Sequence, residues 1–255
     1  MRVNNYDDVA IKRAAEFATG GNTNHEFIEK PTMYGLIPEI DGKKVLCVGC
    51  GTGEECTELV RRKANVLGID FSKVSIEYAR EHIPEAQFEV MNMDTGLTKL
   101  VANGPFSLIY SSLAVHYSNE IEKLFRTCRE LLEPGGYFVF STLHPVKWAS
   151  ETRRDPHDIG KKSHRMGYIR NGNDVEVWGN YLQRTLQTHK YPDGLVQQFW
   201  SRPPSAYFAL LKQASFVVTD FLEPTPIPEA EHVDPALWGV YTKLPCFMMF
   251  RAKAV

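Results

Sequence analysis

The stretch Gly49-Cys50-Gly51-Thr52-Gly53 constrains this chain more than any other. It follows the apolar run Lys44-Val45-Leu46-Cys47-Val48 and leads into residues 54–63, which have helical character. A short continuous apolar run closed by glycine reads as a strand buried on both faces. A glycine turn from such a strand into a helix lets backbone approach a ligand closely, and the first N–H groups of the helix point toward negative charge. The turn is then either a nucleotide-type site or a tight connection that binds nothing. The dinucleotide fingerprint needs its third glycine three positions after the second, where this chain has Glu54.

Residues 65–69 read as a second buried strand ending at Asp70, where a carboxylate can accept hydrogen bonds from both hydroxyls of a ribose. Ser72 can cap a helix carrying Ile76, Ala79 and Ile83 at helical spacing, and Pro84 stops it. Strands follow at residues 87–91 and 106–111. Asn119 can then cap a helix with Ile121, Leu124, Phe125, Cys128 and Leu131 on one face, which Pro134-Gly135-Gly136 ends before a fifth strand at residues 137–142. Strands alternating with helices in this way predict an α/β fold with a doubly wound, mostly parallel sheet covered on both faces.

From residue 147 to 201 the alternation stops, and a polar stretch bearing Trp148, Trp178, Tyr181, Phe199 and Trp200 reads as an insertion. Residues 181–189 and 195–201 flank the turn signal Tyr191-Pro192-Asp193-Gly194, which suggests a hairpin. These aromatics, with Tyr207, can form an apolar cover over an acceptor or a small core, since both uses demand the same side chains. A helix at 205–214 and strands at 216–221 and 246–251 complete the chain.

Four blocks, VLCVGCGTGEE (45–55), VLGIDFS (66–72), FSLIYSSLAVHY (106–117) and ELLEPGGYFVFS (130–141), together resemble the class I S-adenosylmethionine-dependent methyltransferase family, nearest to its bacterial small-molecule members. The resemblance implies a seven-stranded sheet with the last strand antiparallel. It implies one domain: an N-terminal cap (1–40), a cofactor-binding core (43–146), an insertion covering the acceptor site (147–201) and a C-terminal part (202–255). The cofactor would be S-adenosyl-L-methionine, released as S-adenosyl-L-homocysteine after methyl transfer to an O, N or C atom of a small molecule. Gly49, Cys50, Gly51 and Gly53 would hold its methionine part, Asp70 its ribose and Phe71 its adenine. Asn92, Met93 and Asp94 are the candidates near the adenine amino group, Asn92 standing where the family usually has an acid. Ser111 and Leu113 would approach the sulfonium end. His116 is the best-placed base for an acidic acceptor, or else a packing residue of its loop; Tyr117 would line the pocket, and His144 is a second candidate base. Tyr6 resembles a mobile segment that closes over the cofactor.

A formal net charge of −2 gives no broad basic field for nucleic acid, so small molecules are the expected partners, with the chain a monomer or homodimer. No apolar run approaches a membrane span and the first residues lack a signal-peptide pattern, which suggests a cytoplasmic protein. The five cysteines show no disulfide framework. Cys47 and Cys50 have the spacing of a zinc or redox pair but lack a second pair; Asp155, His157, Asp158 and His164 could bind a metal on paper but read as a solvated loop, and Arg153-Arg154 and Lys161-Lys162 are short surface charge runs. No metal is expected. The competing enzyme class is a nicotinamide-dependent oxidoreductase, which Glu54 argues against; a third reading is a non-catalytic S-adenosylmethionine-binding module.

Overall fold

A computed structural model describes residues 7, 10–12, 15, 21–154, 162–190 and 196–255, without the side chains of 152–154 and 162–163. Tyr6, the acidic and histidine positions 155–158, Lys161 and the turn at 191–194 lie outside the described residues.

Seven strands form one sheet: β1 (Lys44–Val48), β2 (Asn65–Asp70), β3 (Gln87–Val90), β4 (Phe106–Ser111), β5 (Leu132–Leu143), and, after the insertion's β6 to β11, β12 (Phe216–Leu222) and β13 (Phe247–Ala254). Their order is β12-β13-β5-β4-β1-β2-β3. The first five run parallel, while β13 is antiparallel to both β5 and β12. The described N-terminal segment includes a π-helical turn, His25–Glu29, and helix α1 (Lys30–Gly35). The main crossovers are α2 (Glu54–Arg61), α3 (Lys73–His82) and α4 (Ile121–Leu131), with α5 (Pro204–Gln213) before β12 and α6 (Pro235–Tyr241) before β13.

The apolar runs are buried on both faces because helices cover both. Val45 and Cys47 of β1 point into one core with Ile28, Cys56, Leu59 and Ile76, whereas Leu46 and Val48 point into the other with Phe125, Leu131, Tyr207 and Phe250. This is the two-residue side-chain period of a strand. The second core holds an aromatic group in which Phe140 stacks on Phe250 at 5.0 Å and Phe125 meets Phe138 edge-on at 5.3 Å.

Three local expectations change. Asn119 does not cap α4: Glu120 occupies the cap position without a side-chain hydrogen bond, and Asn119 Oδ1 accepts from Trp200 Nε1 at 2.9 Å. Pro134-Gly135-Gly136 does not separate helix from strand. α4 ends at Leu131 and β5 begins at once, the glycines being accommodated by a register shift against β4 with Gly135 at φ 82°. The insertion contains three antiparallel hairpins: β6 (Glu151–Arg154) with β7 (Lys162–Arg165), β8 (Gly167–Asn171) with β9 (Asp174–Trp178), and β10 (Thr185–Lys190) with β11 (Val196–Ser201). Among the described residues, no helix is long and apolar enough to cross a membrane.

Candidate functional site: a cavity at the carboxyl ends of the strands

At the end of β1 the chain turns sharply, with Gly49 and Cys50 N–H both donating to the carbonyl of Ile69 at 2.8 and 3.0 Å. Gly49, Gly51 and Gly53 take φ of 72°, 52° and 91°, the left-handed region that glycine enters without steric cost. They serve different ends. A Cβ on Gly49 would lie 2.3 Å from Ala114 Cβ in the loop after β4, and one on Gly53 2.6 Å from Ile83 Cδ1, so these glycines permit close packing. A Cβ on Gly51 would meet nothing within 4 Å, because Gly51 faces a cavity of about 1070 Å³. That volume slightly exceeds the ~300–1,000 Å³ usual for one small ligand, which leaves room for two.

Asp70, at the end of β2, lines the same cavity. Its Oδ2 accepts from Gly51 N–H at 3.0 Å and its Oδ1 from Ser72 N–H at 2.9 Å. Burial raises its pKa, and these backbone hydrogen bonds oppose the rise. The Phe71 N–H also donates to this carboxylate, so of its roughly four acceptor sites about one remains for a ligand. This is the fit expected for a ribose diol: an oriented acceptor beside a backbone turn with open space above it.

Phe71 is exposed at the cavity edge, as is Asn92, with Met93 beside it. Asp94 is already engaged: its two oxygens accept from Ser118 Oγ at 2.5 Å and Asn119 N–H at 3.0 Å, while its own N–H donates to Asn92 Oδ1. Its carboxylate therefore braces the loop after β4. Leu113 lines the cavity with φ 46°, unusual for a residue with a side chain, and its N–H donates to Ser141 Oγ at 2.8 Å. Ser111 is fully buried and donates to the Val48 carbonyl at 2.9 Å; it ties β4 to β1 and does not line the cavity, and neither does Gly53.

His116 and Tyr117 sit on a single 3-10 turn, Val115–Tyr117, and both line the cavity. Burial, reinforced by the nearby Arg202 charge, lowers the His116 pKa to about 3. Its Nδ1 lies 3.4 Å from Thr142 Oγ1, and its ring packs on Tyr117 and Phe199 at 4.3 and 5.8 Å. Burial thus favours the neutral imidazole, which packs with Tyr117 and Phe199 in the cavity wall. His144 is buried outside the cavity, its Nε2 2.8 Å from Glu223, and caps the short helical turn Pro145–Trp148 by accepting from Val146 N–H.

A further group was not evident from the sequence. His25 packs between Glu55 and Glu29, with Nε2 3.0 and 3.2 Å from their carboxylates. Burial opposes its charge, but hydrogen bonds and attraction from these two carboxylates outweigh burial and lift its pKa to about 11. Lys30 bridges Glu26 and Glu54. Ligand atoms of His25, Glu26 and Glu54 lie within 4.8 Å of one another, a spacing that the Lys30 ammonium already neutralises in part. Glu29, fully buried, accepts from Ser112 Oγ and Ser141 Oγ, fastening the N-terminal segment to the loop that carries Leu113. The i,i+4 pair His25/Glu29 was the available signal.

A doubly wound sheet of this order with a glycine turn and an acidic residue at the next strand end defines a nucleotide-type site at the carboxyl ends of the strands. Residues 46–140 match the family model described as a methyltransferase domain. A crystal structure of an S-adenosylmethionine-dependent methyltransferase from Mesorhizobium loti is 26% identical, with a TM-score of 0.69 over 88% of this chain and 96% of that one. An uncharacterized protein of Haemophilus influenzae is 34% identical over 48% of this chain and 50% of its own length. The ubiquinone biosynthesis O-methyltransferase of Chromobacterium violaceum is 28% identical over 56% of this chain and 66% of its own length. The chain thus spans one half to two thirds of these curated relatives. The chain carries a methyltransferase domain over residues 46–140 and is similar in sequence and fold to S-adenosylmethionine-dependent methyltransferases.

Proposed function

We propose that the protein transfers a methyl group from S-adenosylmethionine to a small-molecule acceptor, at an oxygen atom. The observation that carries this reading is the Asp70 carboxylate, oriented by Gly51 N–H on the wall of a cavity large enough for donor and acceptor together. The oxygen preference rests on the relatives named as O-methyltransferases.

In this reading Gly49, Cys50 and Gly51 hold the methionine part, Asp70 the ribose hydroxyls, and Phe71, Asn92 and Met93 the adenine. Leu113 borders the sulfonium end. Gly53, Ser111 and Asp94 act indirectly, by shaping the turn and bracing the loop. When bound, the donor supplies a methyl group that is already activated, so the chain needs no nucleophile of its own. Its task is to align the acceptor and exclude water. Neutral His116, with Tyr117 and Phe199, forms the apolar side of that enclosure. Mass spectrometry of a phenol and catechol panel incubated with protein and donor should show a gain of one methyl group together with S-adenosylhomocysteine. Donor binding with no methylated product from phenols, amines or carbon acids would favour a non-catalytic module.

A further inference from the structure

The cavity wall is divided by charge. The lining residues up to Asp94 in the sequence include the carboxylates Asp7, Glu54, Glu55, Asp70 and Asp94 and the imidazolium of His25, with Glu54 also paired to Lys30. Among the described residues lining it from Ser112 onward there is no carboxylate, and Lys147 is the one with a permanent charge. Lys147 is half-buried at the end of the Pro145–Trp148 turn. Its Nζ donates to Cys246 Sγ at 3.4 Å, is hydrogen-bonded to Tyr241 and lies 4.7 Å from the Trp148 ring centroid, with no carboxylate oxygen within salt-bridge distance among the described residues. A partly dehydrated ammonium without a counter-ion favours an anionic ligand and disfavours an amine.

Beside Lys147 the wall is aromatic. Trp148 meets Phe199 edge-on at 5.5 Å and 89°, and Phe199 meets His116 at 82°, so flat surfaces at right angles border the space that Tyr117 also lines. Such surfaces suit a planar ring. We propose that the acceptor is a small aromatic compound bearing a carboxylate, its ring against Trp148 and Phe199 and its carboxylate directed to Lys147. The donor, a cation at its sulfonium, then belongs to the acidic part and the acceptor to the cationic part. This rests on the methyl-transfer reading and names the acceptor class for it.

The test uses the full chain loaded with S-adenosylhomocysteine and titrated calorimetrically with 4-hydroxybenzoate, 4-hydroxybenzamide and 4-hydroxybenzylamine. The benzoate should bind at least tenfold more tightly than the amide, and the amine most weakly. Lys147→Met should abolish the difference between benzoate and amide, and Lys147→Arg should retain it. Equal binding of the three, preference for the amine, no binding of any, or a benzoate preference that survives Lys147→Met would overturn the proposal. Failure of S-adenosylhomocysteine itself to bind would instead sink the methyl-transfer reading.

Discussion

Asp70 combines two jobs in one carboxylate, accepting from the Gly51, Ser72 and Phe71 N–H groups and lining the cavity with its remaining acceptor capacity. Asp70→Ala should weaken S-adenosylhomocysteine binding by about 2–4 kcal/mol, the range for losing hydrogen bonds to a charged acceptor, as read by calorimetric titration. An unchanged affinity would remove Asp70 from the site. Gly49→Ala places a methyl 2.3 Å from Ala114 Cβ at a left-handed φ, and should destabilise the fold by roughly 2–4 kcal/mol in urea unfolding. Gly51→Ala, with open space above it, should be milder by the steric part of that penalty. The glycines and Asp70 were legible in the sequence because their meaning depends on position along two adjacent strands. His25, Glu29 and Lys147 were not: Glu29 meets Ser112 and Ser141, 83 and 112 positions away, and only the folded chain brings such partners together. The position of His116 on the cavity wall was legible, whereas its burial and its proximity to Arg202 depend on the folded chain and no local pattern encodes them.

Among the elements, the strands and helices of the parallel part were read with errors of a few residues, because burial on both faces leaves uninterrupted apolar runs and amphipathic helices leave a stripe. Ser72 caps α3 as expected, accepting from Ser75 N–H at 3.1 Å, and its hydroxyl also donates to Asp7 at 2.6 Å. Ser72→Ala should therefore lower stability by about 0.5–2 kcal/mol in urea unfolding, the range for a lost cap, and loosen the segment around Asp7. A loss below that range would mean that the cap is replaceable by water. Of the insertion's hairpins, β10 with β11 was expected, whereas β6 with β7 and β8 with β9 were not, and for the latter pair the reason is physical. Tyr168, Ile169, Val175 and Val177 are all exposed, so β8 and β9 lack the inside–outside alternation that marks a strand with one buried face. Asn119 illustrates the converse, a good capping residue whose Oδ1 was claimed by Trp200.

For the whole molecule, His25 and His116, two of the histidines with shifted pKa values, predict the pH range of stability. His25 has its folded pKa raised to about 11, above the unfolded value near 6.5. Its stabilising contribution is complete below about pH 6.5 and is lost as pH rises toward 11. His116 has its folded pKa lowered to about 3, so the unfolded chain binds the extra proton and stability falls as pH drops from about 6.5 toward 3. Thermal unfolding followed against pH should show a maximum near neutrality. His25→Gln should flatten the alkaline limb and leave the acid limb in place; an unchanged alkaline limb would show that the Glu29 and Glu55 contacts do not hold its charge. One cavity is lined both by the carboxylates Asp7, Glu54, Glu55, Asp70 and Asp94 and by Lys147, Trp148 and Phe199. The central claim, that the glycine-turn end of this cavity holds an S-adenosyl donor, is tested most directly by calorimetric titration of the full chain with S-adenosylhomocysteine and with NAD. One-to-one binding of S-adenosylhomocysteine, with none for NAD, is the predicted result; binding of NAD without binding of S-adenosylhomocysteine would contradict it.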